Sequence, residues 1–462
     1  MRSPFLGLVQ ASIAFVALAA LTGLHDAAAQ DGAAPARPAT AQASVSYQEW
    51  FTDEAMRIDL FHAGATLDDA YSLDEVVWEP VWPGTRVHLI DPFKFGSYRF
   101  RVRDAASGKE LFSQGYATLF DEWTGTDEAK AGVRRSMSES VRFPWPRKPV
   151  LVQIDRRDKK TGVFQQMYEL VVDPASHQIS RARPFSSFEV VDLNAGPAPE
   201  KAMDVLIVAE GYSPDDRAKL RADLKRFAGL FLDYEPWKSN RERIHIRGIE
   251  ALSLESGVSE PRKGLFRDSI LGSSFNTFDS ERYLTVMHTK RLRQIASLAP
   301  YDTLFVMANS GRYGGGGVYN QWSVFVSDNE YDDYVMLHEF GHHMGGLADE
   351  YYDSAISNDE DLMYPPGVEP WEPNISAFLG KSRHAIKWKD LILASTSIPS
   401  AEQSAPEDQV GLFEGAGYKA KGLFRPQKDC KMFHKGLVGF CKVCSRSLVS
   451  MLHYYTGEEV KP

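Results

Sequence analysis

Two histidines and a glutamate near residue 340 have the spacing of a catalytic metal site. His338 and His342 are four residues apart, so on a helix they lie on one face, one turn from each other. Two imidazoles placed in this way can bind one zinc ion. The adjacent Glu339 offers a carboxylate that can take a proton from the attacking water. The motif therefore indicates metal-assisted hydrolysis, most often of peptide bonds.

The residues around this motif predict a helix that is anchored in a core. Apolar side chains recur at helical spacing and form a face roughly opposite the two histidines, namely Met336, Phe340, Met344 and Leu347. Asp332 or Asp333 can cap the start of the helix. Gly345 and Gly346 are expected to end it. Such a helix presents its histidines to a cleft.

A catalytic zinc needs a third protein ligand, which must come from outside the His-Glu-His motif. Asp349 follows the glycine turn and is the favoured candidate, and the adjacent Glu350 is the alternative. For both carboxylates, a solvated acidic turn is the competing interpretation.

The sequence around the motif resembles the IgA-protease-like metallopeptidases, a bacterial family with a metzincin-like catalytic domain. The run that carries the resemblance is HEFGHHMGGLADEYY. Further similar segments are residues 205–212, 313–317, 368–374, 429–432 and 440–444. The similarity extends from about Tyr47 almost to the C-terminus. It implies a zinc peptidase domain preceded by a β-rich N-terminal domain.

The resemblance also suggests roles for single residues. Metzincins usually place a histidine three residues after a glycine. Counted from Gly346, that position is Asp349, a departure from the common pattern. Met432 would be the methionine of the Met-turn, packed beneath the zinc, and the alternative is an ordinary core methionine. His434 would be a hydrogen-bond donor to the reacting group, and the alternative is a structural or exposed histidine.

The pattern of the whole chain predicts a multidomain α+β/α/β fold. Residues 45–175 read as an N-terminal β-sandwich, because alternating strands at 99–103, 150–154 and 168–172 are separated by turn formers. Residues 200–460 read as a metzincin-like zinc peptidase domain, in which strands and helices alternate. The predicted strands there are 204–209, 244–249, 303–307 and 322–326, and the predicted helices are 215–232 and 282–298.

Three further expectations concern the cleft of this second domain. Residues 323–327, just before the zinc helix, are expected to be an edge strand that can pair with an extended substrate. The alternative is an ordinary buried strand. Residues 353–420 are irregular and rich in proline, and we expect them to build the lower half of the cleft. The turn-rich segment 414–418 is a candidate substrate wall.

The N-terminus reads as a secretory signal. Arg2 precedes a largely apolar stretch at residues 5–24, and small residues before Gln30 fit cleavage near Ala29/Gln30. Residues 1–29 are therefore the expected signal peptide, and residues 30–44 a flexible leader. A membrane anchor that is never cut is the alternative. The sequence contains no other long apolar run, so we expect a secreted or periplasmic protein with no membrane span after cleavage.

The chain has 462 residues and three cysteines, with a formal net charge of -10. The negative charge argues against nucleic-acid binding as the main task. Export would allow one disulfide, from Cys430 to Cys441 or Cys444, or between Cys441 and Cys444. Half of a structural zinc site is a further possibility for Cys441 and Cys444. Calcium is a second possible cofactor, with candidate ligands at Asp349, Glu350, Asp359, Glu360 and Asp361.

The function that best fits these observations is a secreted zinc endopeptidase acting on a protein or peptide. His338, His342 and Asp349 would hold the zinc, and Glu339 would be the general base. The alternatives are a zinc amidase acting on cell-wall peptides, and a binding or adhesion protein with a structural or vestigial zinc site. The substrate and the oligomeric state are not encoded in any recognisable motif.

Overall fold

The computed structural model describes residues 45–66, 68–352, 360–436 and 438–460. The predicted signal peptide and leader, residues 1–44, lie outside the described residues. Val45–Pro462 form one compact unit. No helix among the described residues is long and apolar enough to cross a membrane.

The N-terminal part of this unit consists of β sheets, as the alternating sequence pattern predicts. Its elements are α1 (Tyr47–Trp50), β1 (Phe51–Ala65), β2 (Asp68–Glu79), β3 (Tyr98–Asp104), β4 (Glu110–Tyr116), α2 (Leu119–Thr124), α3 (Asp127–Lys130), β5 (Arg135–Pro146), β6 (Val150–Arg157) and β7 (Phe164–Val172). The strands form two antiparallel sheets, in the orders β2-β1-β5 and β4-β3-β6-β7. Side chains from both sheets, such as Ile58 and Phe100, share one hydrophobic core.

The rest of the unit is a mixed α/β region. Its elements are β8 (Val190–Asn194), β9 (Met203–Glu210), α4 (Arg217–Asp233), β10 (Ile244–Ile249), α5 (Thr289–Ala296), β11 (Thr303–Ala308), β12 (Gly315–Val318), β13 (Trp322–Val326), α6 (Asp332–Gly345), α7 (Glu360–Met363), β14 (Phe413–Ala416), β15 (Lys419–Arg425) and α8 (Lys442–Thr456). Short 3-10 turns lie between them, three of them at Leu379–Lys381, Arg383–Ala385 and Lys389–Leu391.

One six-stranded sheet organises this region, in the order β12-β13-β11-β9-β10-β8. The four central strands are parallel, and the two edge strands run antiparallel to their neighbours. Strand β9 is buried on both faces. Val205 and Ile207 pack on the side of α4, α6 and α8, and Leu206 and Val208 pack on the side of α5. This double burial explains why the strand reads as a continuous apolar run.

The predicted strands of this sheet are confirmed, but the helix predicted at residues 282–298 is too long. The observed helix α5 covers only Thr289–Ala296. Upstream of it the chain is extended, and the Leu284 and Thr285 N–H groups donate to the Gly315 and Ser274 carbonyls at 3.2 Å each. Leu284, Thr285 and Val286 are all buried between their neighbours, so this segment belongs to the interior without being helical.

Candidate metal centre

Helix α6 carries the His-Glu-His motif and is anchored as its apolar periodicity predicts. Met336, Phe340 and Met344 are completely buried. The helix begins at Asp332 and is followed by Gly346 at φ 60°, a left-handed conformation that suits glycine at this position. The residue before the helix, Tyr331, makes no capping hydrogen bond with its side chain. Of the two predicted capping residues, Asp332 pairs with Arg226 at 3.0 Å, and Oδ1 of Asp333 accepts from the Tyr334 N–H in the first turn at 2.6 Å.

The structure brings His338, His342 and Asp349 together. The Nε2 atoms of the two histidines are 3.1 Å apart. The Asp349 Oδ1 atom lies 3.0 Å from Nε2 of His338 and 3.3 Å from Nε2 of His342. Glu350, the alternative third ligand, does not join them, and its Oε1 lies 3.1 Å from Sγ of Cys444. The neighbouring His343 faces the sheet, where its Nε2 accepts from the Leu304 N–H at 3.1 Å.

The other atoms of these three side chains are held by the surrounding protein. Nδ1 of His338 donates to the Lys431 carbonyl at 3.0 Å, and Nδ1 of His342 donates to the Leu347 carbonyl at 2.6 Å. The Tyr418 hydroxyl donates to Oδ2 of Asp349. These bonds fix each ring so that Nε2 faces its neighbours with a lone pair.

Three electron-pair donors therefore converge at one point, and the buried Oδ1 of Asp349 has no hydrogen-bond partner there. Lone pairs cannot form hydrogen bonds with one another, so the group needs a proton or a metal cation between them. In the protein alone, burial opposes the charged form of His342, but the Asp349 carboxylate outweighs it and raises the pKa of His342 to about 10. Two imidazoles and a carboxylate are a donor set that fits a divalent metal.

Glu339 borders the same point from within the helix. Its side chain lines the cleft in front of the histidines. Burial raises the pKa of its carboxyl, although the nearby His338 and His342 oppose this shift. A raised pKa suits a group that accepts a proton and gives it back.

The cleft has a volume of about 340 Å³, and both parts of the protein line it. Glu122 of α2 contributes from the N-terminal part, and Tyr283 donates a hydrogen bond to it. Burial raises the pKa of Glu122 to about 7, although the hydrogen bond from Tyr283 opposes the shift. The N-terminal part thus contributes directly to the wall of the cleft.

The edge of the sheet at the cleft is strand β12, not the strand predicted from the sequence. Residues 323–327 overlap β13, which lies between β12 and β11 and is buried. The glycine-rich segment before it forms the edge instead. A Cβ atom on Gly317 would lie 2.3 Å from the Glu339 carbonyl oxygen. Only glycine allows α6 to pack so closely against this strand.

Met432 lies beneath helix α6, in the region that the Met-turn resemblance implies. It is completely buried, and a Cβ atom on Gly341 would meet its Sδ atom at 2.8 Å. His434, by contrast, does not line the cleft. Its side chain is 60 % exposed and bonds to Asp429 at 3.0 Å. The predicted donor role of His434 is therefore not supported by its position.

Several side chains at the cleft were not identified by the motif. Tyr351 directly follows the Asp349-Glu350 pair, and its hydroxyl accepts from Arg282 at 3.2 Å. Tyr418 ends the turn-rich segment that the sequence analysis considered as a substrate wall, and it does line the cleft. Proximity to the motif was a usable signal for Tyr351. Arg282 and Glu122 are distant in sequence and carried no such signal.

The three cysteines lie together in the protein interior. Cys430, Cys441 and Cys444 are all buried thiols, so the expected disulfide is not formed in the structure. They lie around Glu350, away from the histidines.

Of the calcium candidates, Asp359 and the side chain of Glu360 lie outside the described residues, and Asp361 pairs with Lys419 at 2.6 Å. Calcium therefore stays a prediction.

Two family models match this chain. The model described as IgA Peptidase M64 matches residues 191–405 and 400–452. The model described as Peptidase M64 N-terminus matches residues 46–168. The comparison with curated proteins finds no similar sequence. The matched residues include the six-stranded sheet, the His-Glu-His helix and the cysteine-rich C-terminal segment.

Proposed function

Because this chain belongs to the IgA peptidase M64 family and is a metallopeptidase, we propose that it is a zinc-dependent endopeptidase that acts on proteins after export. The observation that carries the proposal is the convergence of His338, His342 and Asp349 on one point beside Glu339. The family match supports peptidase chemistry. The choice of zinc, the residue roles and the export are our own inference.

The three side chains form the donor set of a catalytic zinc, which has three protein ligands and an open position. His338 and His342 offer Nε2 atoms, and Asp349 offers its unpartnered Oδ1. A zinc ion bound there would polarise the scissile carbonyl and make the attacking water more acidic. Glu350 cannot serve as this ligand, because its carboxylate contacts the cysteines.

Glu339 is the proposed general base and acid. It takes the proton from the attacking water and delivers it to the nitrogen of the leaving amine. Its burial, which raises the carboxyl pKa, brings its proton affinity closer to what both transfers require. We assign to the Tyr351 hydroxyl, which accepts from Arg282 at 3.2 Å and belongs to a residue of the cleft wall, the donation of a hydrogen bond to the oxygen that gains negative charge.

Strand β12 is the proposed docking edge for the substrate backbone. The backbone N–H of Gly315 points away from the neighbouring strand β13, since it donates to the Arg282 carbonyl at 3.3 Å. Two residues later, Gly317 has the same orientation in the strand and lines the cleft. An extended peptide can continue the sheet there by main-chain hydrogen bonds.

The test compares the wild-type chain from residue 30 onwards with the Glu339→Gln variant on a mixed peptide library, with zinc present. Cleavage sites are read by mass spectrometry. We expect cleavage by the wild type that a chelator abolishes, and a loss of at least about 10²-fold in the variant with its zinc retained. Glu330→Gln removes an exposed carboxylate near the start of α6 and serves as the matched control. Equal activity of Glu339→Gln and wild type would overturn the assignment.

A further inference from the structure

Four buried side chains outside the catalytic cluster converge on a second point. They are Glu350, Cys430, Cys441 and Cys444, and their ligand atoms all lie within 4.8 Å of one another. Their exposures are 0 %, 0 %, 5 % and 0 %. Three separate segments supply them: the turn after α6, the loop that holds Met432, and the start of α8. When such thiols and a carboxyl ionise together in a protein interior, a cation is needed to balance their charge.

The distances within this cluster match those of a tetrahedral metal site. The Sγ atoms of Cys430 and Cys444 are 3.7 Å apart. Zinc–sulfur bonds of about 2.3 Å place two thiolates about 3.8 Å apart in a tetrahedron. Oε1 of Glu350 lies 3.1 Å from Sγ of Cys444 and 4.0 Å from Sγ of Cys441. The four groups therefore surround a space of suitable size.

The Glu350 carboxylate provides an independent indication of a cation. Its Oε1 accepts from the Asn374 amide at 3.0 Å, but its Oε2 is buried without a hydrogen-bond partner. Among the described residues, no arginine or lysine forms a salt bridge with it. A buried and unpaired carboxylate costs several kcal/mol, which makes a cation at this position strongly favourable.

The backbone around the cysteines is arranged to stabilise thiolates. The Cys441 N–H donates to Sγ of Cys430 at 3.2 Å, and the Cys444 N–H donates to Sγ of Cys441 at 3.4 Å. Cys441 also stands at the N-terminal end of α8, where the helix dipole favours negative charge.

We propose that Glu350, Cys430, Cys441 and Cys444 bind a second, structural metal ion, of which zinc fits this donor set best. Three thiolates and one carboxylate complete a closed four-ligand shell, which is the form of a structural zinc site. Cys441 and Cys444 form a Cys-x-x-Cys pair, and Cys430 and Glu350 together take the place of the second such pair that the sequence lacks.

This metal would join the segments that build the catalytic cluster. Glu350 follows Asp349 directly in the chain, and its N–H donates to the Met432 carbonyl at 2.8 Å. Cys430 precedes Lys431, whose carbonyl orients His338. A bound ion would thus fix Asp349 and the carbonyl partner of His338 relative to α8.

X-ray absorption at the zinc edge tests the proposal on the wild-type chain, because the catalytic donors include no sulfur. We expect about two zinc ions per chain and zinc–sulfur scattering at about 2.3 Å. After denaturation with a chelator and without reductant, all three thiols should react with an alkylating agent. Absence of zinc–sulfur scattering would overturn the proposal, and so would one reactive thiol, which indicates a disulfide.

Two variants assign each metal to its cluster. His338→Ala with His342→Ala should retain one zinc per chain and the full zinc–sulfur signal, independently of any loss of activity. Cys441→Ser with Cys444→Ser should lose that signal. If the cysteine variant does not fold, the scattering and thiol measurements on the wild type still decide the question. Loss of the sulfur signal in the histidine variant, with its fold retained, would contradict the assignment.

Discussion

Asp349 and Glu350 are neighbours in the chain, yet their side chains enter two different clusters. Asp349 meets two imidazoles at a cleft lined by both parts of the protein. Glu350 meets three thiols in the interior, and neither it nor the cysteines line that cleft. The first cluster offers nitrogen and oxygen, and the second offers sulfur and oxygen.

The difference in access separates the two roles. A catalytic metal must leave one position for water or substrate, whereas a structural metal is enclosed by protein ligands. The first cluster has three donors beside a candidate base, Glu339, and the second has four donors and no cleft. The adjacent residues Asp349 and Glu350 therefore connect the proposed catalytic metal site to the proposed structural metal site. Matched changes to its two residues should have different consequences.

Asp349→Asn should have the largest effect on activity. The substitution keeps the size of the side chain but removes the charge, so we expect kcat/KM to fall by about 10³-fold and zinc to bind more weakly at the histidines. Glu350→Gln is the matched change at the next residue. It should mainly lower the midpoint of thermal unfolding. The comparison fails if Glu350→Gln removes activity without loss of stability, or if Asp349→Asn leaves kcat/KM intact.

Tyr418→Phe should have an intermediate effect, because it removes only the hydroxyl that donates to Asp349. Groups that orient a metal ligand in this way contribute about 10–100-fold in metal affinity or activity. We therefore expect zinc affinity, measured by competition with a chelator, to fall within that range. Tyr352→Phe is the control, since the Tyr352 ring packs against Phe433 away from the cleft. Equal zinc affinities of the two variants would show that the hydroxyl does not position Asp349.

Gly317→Ala tests how closely strand β12 must approach helix α6. The added methyl group would lie 2.3 Å from the Glu339 carbonyl oxygen, so the strand or α6 must shift. We expect a loss of about 1–3 kcal/mol in the free energy of unfolding, together with lower kcat. Gly229→Ala in α4 is the control, because its methyl group meets no atom within 4 Å and alanine favours a helix. Unchanged activity and stability of Gly317→Ala would argue against close packing at this edge.

Helix α6 and the central strands were predictable because their signals are local. The apolar spacing around His338 and the apolar run of β9 each lie within one element. The edge strand was not predictable in this way. Its glycines are poor strand formers, and the reason for Gly317 is a contact with Glu339, more than twenty residues away. A local pattern cannot report such a contact.

The second cluster shows a different limit of the sequence. Glu350 and the three cysteines were all recognised as chemically relevant, but Glu350 and Cys430 are 80 positions apart in the chain. In the sequence, Glu350 stands beside Asp349, and the three cysteines lie close to one another. Only the folded chain shows that the carboxylate belongs with the thiols.

His62 in the N-terminal sheets differs from His338 and His342, because both of its ring nitrogens face carboxylates, whereas Nδ1 of each of the other two faces a backbone carbonyl. Nδ1 lies 2.7 Å from Glu139, and Nε2 lies 2.8 Å from Asp69. Burial disfavours the imidazolium, but the two carboxylates outweigh it and raise the pKa of His62 to about 9. A raised pKa stabilises the folded protein fully below pH 6.5, and this contribution is lost as the pH rises towards 9. We expect the free energy of unfolding to fall by about 1 kcal/mol between pH 7 and pH 8. The NMR signals of the His62 ring, identified because they are missing from the spectrum of His62→Gln, should titrate well above pH 7. A ring that titrates at or below pH 6.5 would show that the two carboxylates do not hold a proton on this imidazole.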